Sequence, residues 1–302
     1  MGKASRRRKA GSDTAGETRT RDLSARAAAF VARPFEGLTG ETDWVAMREV
    51  VPAATATVTF VDGAVASSAP QTATVATVLP MGWSGLRRID GAVMVALQSG
   101  STSGDASRDI AQVLLATAAA EAGMPLPSTP LATAATPRLH DVLDPTAVFE
   151  VTVHEGFDFW VADTSELDDD GKESLDRANA EAIPTTKLES APSAYWCQVG
   201  ERTYLRWVLP HDEDAATDAL ARLLAASATS LGEGSRLLGA FRACGLLVPV
   251  WELDPTLPGS DYESAVGEMR ERLGDVLTRS GALTVEERRA RSGLLSRQVT
   301  LR

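Results

Sequence analysis

Hydrophobic residues are spaced along the chain in two ways. Short runs rich in Val and Thr, bounded by Asp-Gly, Pro and Gly, are typical of β-strands, whereas apolar residues three and four positions apart are typical of helices. The first pattern predicts strands over 54–61, 72–80 and 91–98, and an extended segment at 246–253 that Pro249 confines to a sheet edge. Because 91–98 is apolar on both faces, we expect it to be a central strand.

The helical pattern is framed by capping residues and stop signals. Thr42 or Asp43 is expected to cap a short helix that ends at Pro52, and Asp105 to cap one that stops at Gly123. A Thr284–Glu287 capping box predicts a basic C-terminal helix. Further helices are predicted over 166–182, 212–227 and 235–244, the last ending at Gly245.

Two segments predict β-hairpins whose register can be argued. In "FEVTVHEGFDFWV", a loop of His154, Glu155 and a left-handed Gly156 pairs Val153 with Phe157 and keeps the apolar partners on one face.

The second hairpin, "APSAYWCQVGERTYLRWVLP", is expected to turn at Gly200-Glu201. Trp196 then faces Leu205, and Ala194 faces Trp207. The opposite face carries Tyr195, Cys197, Arg202, Tyr204 and Arg206.

These elements predict an α+β protein built from two pseudo-repeated antiparallel strand-strand-helix units, in one continuous or two adjoining sheets with helices on the faces. The repeat is suggested by the gapless similarity of 105–118 to 214–227. The expected organisation is a disordered basic tail (1–28), an N-terminal α+β domain (29–123), a Pro-rich linker (124–138), a C-terminal α+β domain (139–260) and C-terminal helices (261–302).

Charge separates the tail from the rest of the chain. Residues 1–26 carry eight Lys and Arg against three acidic residues, a net of +5, while the remainder carries −16. Three interpretations stay open: an export signal, which the interrupted apolar stretch after the arginines disfavours, contact with RNA, the ribosome or another polyanion, and solvation alone. The polyanion candidates are Lys3, Arg6, Arg7, Arg8 and Lys9.

The sequence lacks the motifs that mark several function classes. No apolar run approaches the ~18 residues that a spanning helix needs. GxxxxGK[ST], GxGxxG, GxSxG and HExxH do not occur. Two cysteines, Cys197 and Cys244, are too few for a disulfide framework and favour a reduced, cytoplasmic setting.

The histidines and one acidic segment invite a metal interpretation that the spacing does not support. His140, His154 and His211 each precede a carboxylate, but adjacent side chains on a helix or strand point apart. "LDDDGKES" lacks the ligand ladder of a calcium loop, and a helix N-terminus explains it better. We therefore predict no metal and no cofactor.

The hairpin face with Tyr195, Arg202, Tyr204 and Arg206 is the candidate recognition face within the folded part of the chain, because tyrosines and arginines together can stack on and clamp bases. The alternative is that a helix covers this face.

Five segments carry a resemblance that covers nearly the full chain: "MGKASRRRK", "FVARPFEGL", "ETDWVAMREVVPAATATV", "GLLVPVWEL" and "ERRARSGLLSRQVTLR". They are similar to an uncharacterised actinobacterial family, a domain of unknown function, some members of which carry labels such as preprotein translocase or topoisomerase. The sequence has no phosphate loop for a translocase motor and no Cys/His set for its zinc motif. The resemblance implies an intact family architecture and no mechanism.

Together these observations predict a non-catalytic cytoplasmic binding or adaptor protein without a membrane segment, whose basic arm contacts RNA, the ribosome or another polyanion. Two alternatives stay open: an enzyme with a site near His140, His154 and His211, and a chaperone-like binder of protein segments that uses a sheet edge near Val248 to Trp251. The pattern specifies no oligomeric state.

Overall fold

In a computed structural model of the protein, the described residues are 26–98 and 102–296, excluding the side chains of 295 and 296. These residues form two β-sheets and seven α-helices. The protein therefore has the α+β architecture that the sequence predicts.

The first sheet has six strands: β1 (Ala54–Thr59), β2 (Thr72–Ala76), β3 (Gly85–Arg87), β4 (Val93–Ala96), β5 (Pro125–Leu126) and β6 (Thr152–Val153). Their order is β5-β3-β4-β2-β1-β6. β4 pairs parallel with β2 and antiparallel with β3, and its four residues are all buried. The prediction of a central strand there is confirmed.

The second sheet has five antiparallel strands: β7 (Thr185–Leu188), β8 (Ala194–Val199), β9 (Arg202–Trp207), β10 (Arg236–Ala243) and β11 (Leu246–Leu253). Their order is β10-β11-β9-β8-β7. Trp196 lies opposite Leu205 and Ala194 opposite Trp207, as the turn at Gly200 predicts. The second predicted hairpin is thus confirmed in register.

The helices are α1 (Glu41–Glu49), α2 (Ala106–Ala119), α3 (Leu139–Val142), α4 (Asp169–Ala180), α5 (Glu213–Ala225), α6 (Glu263–Leu277) and α7 (Val285–Ser296). The Asp105 cap is confirmed, because its carboxylate accepts from the Ser107 amide. The Thr284–Glu287 capping box is confirmed in both directions. The predicted Thr42 or Asp43 cap of α1 is wrong: the N-cap is Gly40 at φ 72° without a side-chain cap bond, and Thr42 and Asp43 instead accept from Ser193 Oγ.

Two main cores lie on opposite faces of the second sheet. One is shared with the first sheet, α1, α2 and α3, and includes Trp44, Leu114 and Tyr195. The other lies between the second sheet and helices α5, α6 and α7, and includes Trp207 and Trp251. The second sheet is therefore covered on both faces.

The predicted helix over 235–244 is wrong, because this segment is strand β10. Cys244 and Gly245 both have positive φ, 44° and 80°, which is the geometry of a two-residue hairpin turn rather than a helix end. Pro249 is not on an edge either, since β11 lies between β10 and β9. Pairing with β9 begins at Val250, so the proline falls just outside that ladder.

The predicted hairpin over 149–161 is also wrong. β6 has only two residues and pairs with β1, while Asp158–Trp160 form a 3-10 turn. The turn brings the rings of Phe157 and Trp160 into a stack with centroids 4.7 Å apart. Packing between neighbouring aromatic side chains therefore replaces the expected cross-strand pairs.

The Pro-rich stretch 124–138 does not separate two sheets. It supplies β5, and Gln112 Nε2 of α2 donates to the Pro130 carbonyl at 2.7 Å. β6, which follows the stretch, also belongs to the first sheet. α2 and α5 each follow an antiparallel strand pair, but this does not establish a duplication, and the internal repeat stays a prediction.

Candidate functional site

The candidate recognition face of the β8–β9 hairpin lies against α1. Tyr195 is fully buried, and its hydroxyl donates to Asp43 Oδ1 at 3.0 Å. Its cross-strand neighbour Arg206 is half-buried and donates from Nη1 to the Val50 carbonyl at 3.2 Å. Tyr195 and Arg206 therefore hold the second sheet to α1. A helix covers this end of the face, which is the alternative that the sequence analysis left open.

The other two members of the face lie further from α1 along the hairpin. Tyr204 is half-buried, and Arg202 is exposed with Nη1 3.8 Å from Glu252 Oε1. The four candidate residues thus share one face of the sheet, as predicted, but differ in exposure. Only the end that carries Arg202 is open to solvent.

Asp43 is the centre of a polar network that the sequence does not reveal. Ser193 Oγ donates to Asp43 Oδ1 at 2.6 Å, and Lys187 Nζ donates to Oδ2 at 3.3 Å. Burial, together with the charge of Asp43, raises the pKa of Tyr195 well above its ordinary value. Ser193 has a positive φ of 52° and no exposed surface, so its hydroxyl is turned inward toward Asp43. The network links the second sheet to α1.

His140 and His154 have separate hydrogen-bond partners. His140 Nε2 lies 2.8 Å from the Glu36 carbonyl oxygen, and His154 Nε2 lies 2.8 Å from Thr55 Oγ1. Burial lowers the pKa of His154 and of His211. In residues 26–98 and 102–296, no group of three or more His, Cys, Asp or Glu residues is placed to hold a metal ion.

A charged cleft of about 1190 Å³ lies between the end of α1, the start of α5 and the β10–β11 turn. Its ionic side chains already have partners: Arg242 pairs with Glu213, and Arg48 Nε lies 3.3 Å from Glu49 Oε1. Burial, and then the charge of Glu49, raise the pKa of the Cys244 thiol to about 12. The thiol is therefore protonated at neutral pH and is a poor nucleophile.

An apolar groove of about 470 Å³ lies between α4 and the turn Pro80–Gly82. We call it the α4 groove. A site of this size and apolar character is typical of ligand pockets, and amphipathic helices bind in apolar grooves. It is lined by Pro80, Met81, Trp160, Val161, Leu167, Gly171, Ser174, Leu175, Arg177, Ala178 and Glu181.

The base of the α4 groove is held in place before anything binds. Trp160 Nε1 donates to the Val78 carbonyl at 3.0 Å, and its ring stacks on Phe157. Asn179 of α4 links the helix to this base, because its Oδ1 accepts from the Phe157 amide at 2.7 Å and its Nδ2 donates to Asp158 Oδ1 at 2.8 Å. The base of the groove is therefore preorganised.

The opposite wall carries a large apolar side chain that is turned to solvent. Met81 is 88% exposed and has a φ of 54°, a left-handed conformation that an unbranched L-residue adopts at a cost. Its flexible thioether adapts to differently shaped partners. α4 itself buries only Leu175, so the helix is lightly anchored.

Sequence reasoning did not identify this groove. The sequence pattern predicts a hairpin for Trp160 and Val161, and the turn Pro80–Gly82 begins at the last residue of the strand predicted over 72–80. The available signals were the three closely spaced aromatic residues of "FDFW" and the solitary Leu175 in an otherwise polar helix. The arm candidates Lys3, Arg6, Arg7, Arg8 and Lys9 lie outside the described residues.

Residues 34–302 match the family described as "Family of unknown function (DUF5926)", and the chain belongs to that family. This agrees with the resemblance to an uncharacterised family. No curated protein and no solved structure matches the chain. In the part of the chain that the structure describes, no helix has the length and apolar character needed to cross a membrane.

Proposed function

We propose that this family member is a non-catalytic binding or adaptor protein that holds a segment of a partner protein in the α4 groove. The observation that supports this most directly is the open apolar surface formed by Trp160, Val161 and Leu167 beneath the exposed Met81. In this proposal the binding site is the groove, and not the sheet edge near Val248 to Trp251, since β11 is an interior strand with both of those residues buried.

The lining favours binding over catalysis. Burying one Leu or Phe side chain of a partner contributes about 1.5–3 kcal/mol to the free energy of binding, because the apolar walls exclude water from that side chain. The polar side chains of the lining are Ser174, Arg177 and Glu181. Arg177 is paired with Glu173 at 2.9 Å. Among the described residues, no hydrogen bond joins Ser174 to a side chain that could act as its base. Apolar anchors are therefore the main source of affinity.

Two further features belong to the proposed function. The basic arm, which begins a chain whose remaining residues carry −16, contacts RNA, the ribosome or another polyanion. The setting is the cytoplasm, which is supported by Cys197 and Cys244 being free thiols. The arm and the groove are then two separate contacts of one adaptor.

A matched pair of Leu→Ser variants tests the proposal. Leu167 lines the groove, whereas Leu131 is 59% exposed in a loop outside it. The probe is a fluorescein-labelled amphipathic peptide with Leu and Phe anchors at helical spacing, followed by fluorescence anisotropy. We expect Leu167→Ser to weaken binding about tenfold, equivalent to about 1.4 kcal/mol, and Leu131→Ser to leave it unchanged.

Thermal melts of both variants accompany the titration, because Leu167 also packs on the Phe157 and Leu175 cluster. Affinity is compared at a temperature at which both variants are folded. Equal affinity of wild type and Leu167→Ser, with both folded, would show that the groove does not bind the peptide.

A further inference from the structure

The surface around the α4 groove is acidic. Between residues 161 and 181 there are eight acidic residues against Lys172 and Arg177, a net of −6. All eight carboxylates belong to exposed residues: Asp163, Glu166, Asp168, Asp169, Asp170, Glu173, Asp176 and Glu181. The apolar groove is therefore bordered by negative charge.

Little of this charge is neutralised within the chain. In the described part of the protein, the ion pair within this segment joins Arg177 to Glu173 at 2.9 Å. Asp163 and Asp168 each accept one backbone amide, from Ser165 and Gly171, and the hydrogen bonds from Ser165 hold the pKa of Asp163 below its ordinary value. The remaining carboxylates face solvent and contribute to a long-range negative potential.

The charge lies next to the apolar surface rather than on the far side of the helix alone. Glu181 lines the groove itself. Asp170 precedes it by eleven residues, or about three helical turns, and therefore lies on the same flank of α4. At the N-terminal end of the helix, Asp168 adjoins the lining residue Leu167. A bound segment therefore meets carboxylates along one flank and at one end.

We infer that the occupant of the α4 groove is a basic amphipathic protein segment, in which apolar anchors are flanked by Lys or Arg. This inference rests on the proposed function and specifies the partner's chemistry. The apolar lining binds the anchors, and the acidic border attracts the flanking cations and speeds encounter. A polyanion is repelled from the same border, so RNA does not occupy this groove.

Three labelled peptides of equal length with identical Leu and Phe anchors test the inference. Their flanking positions carry Lys, Gln or Glu. We expect the Lys peptide to bind the full-length protein most tightly, the Gln peptide about tenfold more weakly, and the Glu peptide weakest. Raising the salt concentration reduces both the advantage of the Lys peptide and the disadvantage of the Glu peptide and leaves the Gln peptide unchanged, because salt screens exposed charges.

A charge-removal variant identifies the responsible residues. Asp170→Asn combined with Glu181→Gln is expected to reduce the preference for the Lys peptide about threefold and to leave the Gln peptide unaffected. The matched control is Asp62→Asn with Glu121→Gln, two exposed acidic residues outside the groove lining. This control keeps the wild-type preference.

The outcomes separate the inference from the proposed function. Equal binding of the Lys and Gln peptides, without salt dependence, overturns the basic-partner inference while the groove stays a protein-binding site. Failure of all three peptides overturns both. Concentration-dependent self-association that Leu167→Ser abolishes identifies a second copy of this chain as the occupant and likewise overturns the inference.

Discussion

The α4 groove and the inner face of the β8–β9 hairpin both carry aromatic side chains, yet only one of them is open. On the hairpin, Tyr195 is fully buried against α1, and its hydroxyl has a partner in Asp43. In the groove, Trp160 is half-buried, and Met81 opposite it is 88% exposed. The comparison shows that an aromatic-rich face becomes a candidate binding surface only when no second element of the chain covers it.

The largest expected effect concerns the covered face. Tyr195→Ala should destabilise the protein by about 3–5 kcal/mol, because it leaves a cavity between the two sheets and removes a hydrogen bond to Asp43. Tyr195→Phe keeps the ring and should cost about 1 kcal/mol. Denaturant unfolding measures both. A Tyr195→Ala variant as stable as wild type would mean that this face is not closed.

Asp43→Ala is expected to have the next largest effect. It removes the acceptor shared by Ser193, Tyr195 and Lys187, and should cost about 2–3 kcal/mol because buried donors lose their partner. The control is Asp62→Ala, an exposed aspartate whose loss should change stability by less than about 0.5 kcal/mol. Similar unfolding curves for the two variants would contradict a structural role for the network.

A smaller, pH-dependent effect is expected at His154. Burial lowers the pKa of His154, so as the pH falls below about 6.5 the unfolded chain takes up a proton before the folded one does. Neutral His154 contributes to the free energy of unfolding above that pH. This contribution is lost as the pH falls through the pKa that His154 has in the folded protein. His154→Gln should reduce this acid-side loss of stability, as measured by unfolding near pH 7 and near pH 5.

His211 needs a parallel measurement, because burial lowers its pKa as well. His211→Gln should remove a separate part of the acid-side slope, and the double variant should remove both. If His154→Gln has the wild-type pH dependence, His154 titrates normally in the folded protein, and its contact with the Phe159 ring, at a centroid distance of 4.8 Å, does not exclude water.

Local signals in the sequence predict the covered face better than the open one. The turn at Gly200 sets the register of β8 and β9, and Asp105 marks the start of α2. Both depend on residues that are close in the chain. Asp43 and Tyr195 are 152 positions apart, so no local pattern links them. Sequence reasoning identified a chemically distinctive face but not the helix that covers it.

The groove was missed for a different physical reason. Aromatic residues at alternate positions in "FDFW" fit a strand, but packing between Phe157 and Trp160 stabilises a tight turn instead. Similarly, Gly245 after an apolar segment fits a helix end, whereas the positive φ of Cys244 beside it creates a hairpin. In both cases a tertiary arrangement decides between two local structures that the sequence permits.

The most direct test of the contrast measures stability and peptide affinity together in two variants. Met81→Asn removes the exposed apolar side chain and places a residue that tolerates left-handed φ at that position. Tyr195→Phe alters only the covered face. We expect Met81→Asn to keep or slightly raise the melting temperature and to weaken binding of the Lys peptide about threefold or more. Tyr195→Phe should lower the melting temperature and leave the affinity for the peptide unchanged. Wild-type peptide affinity in Met81→Asn, or weakened affinity in folded Tyr195→Phe, would contradict the account.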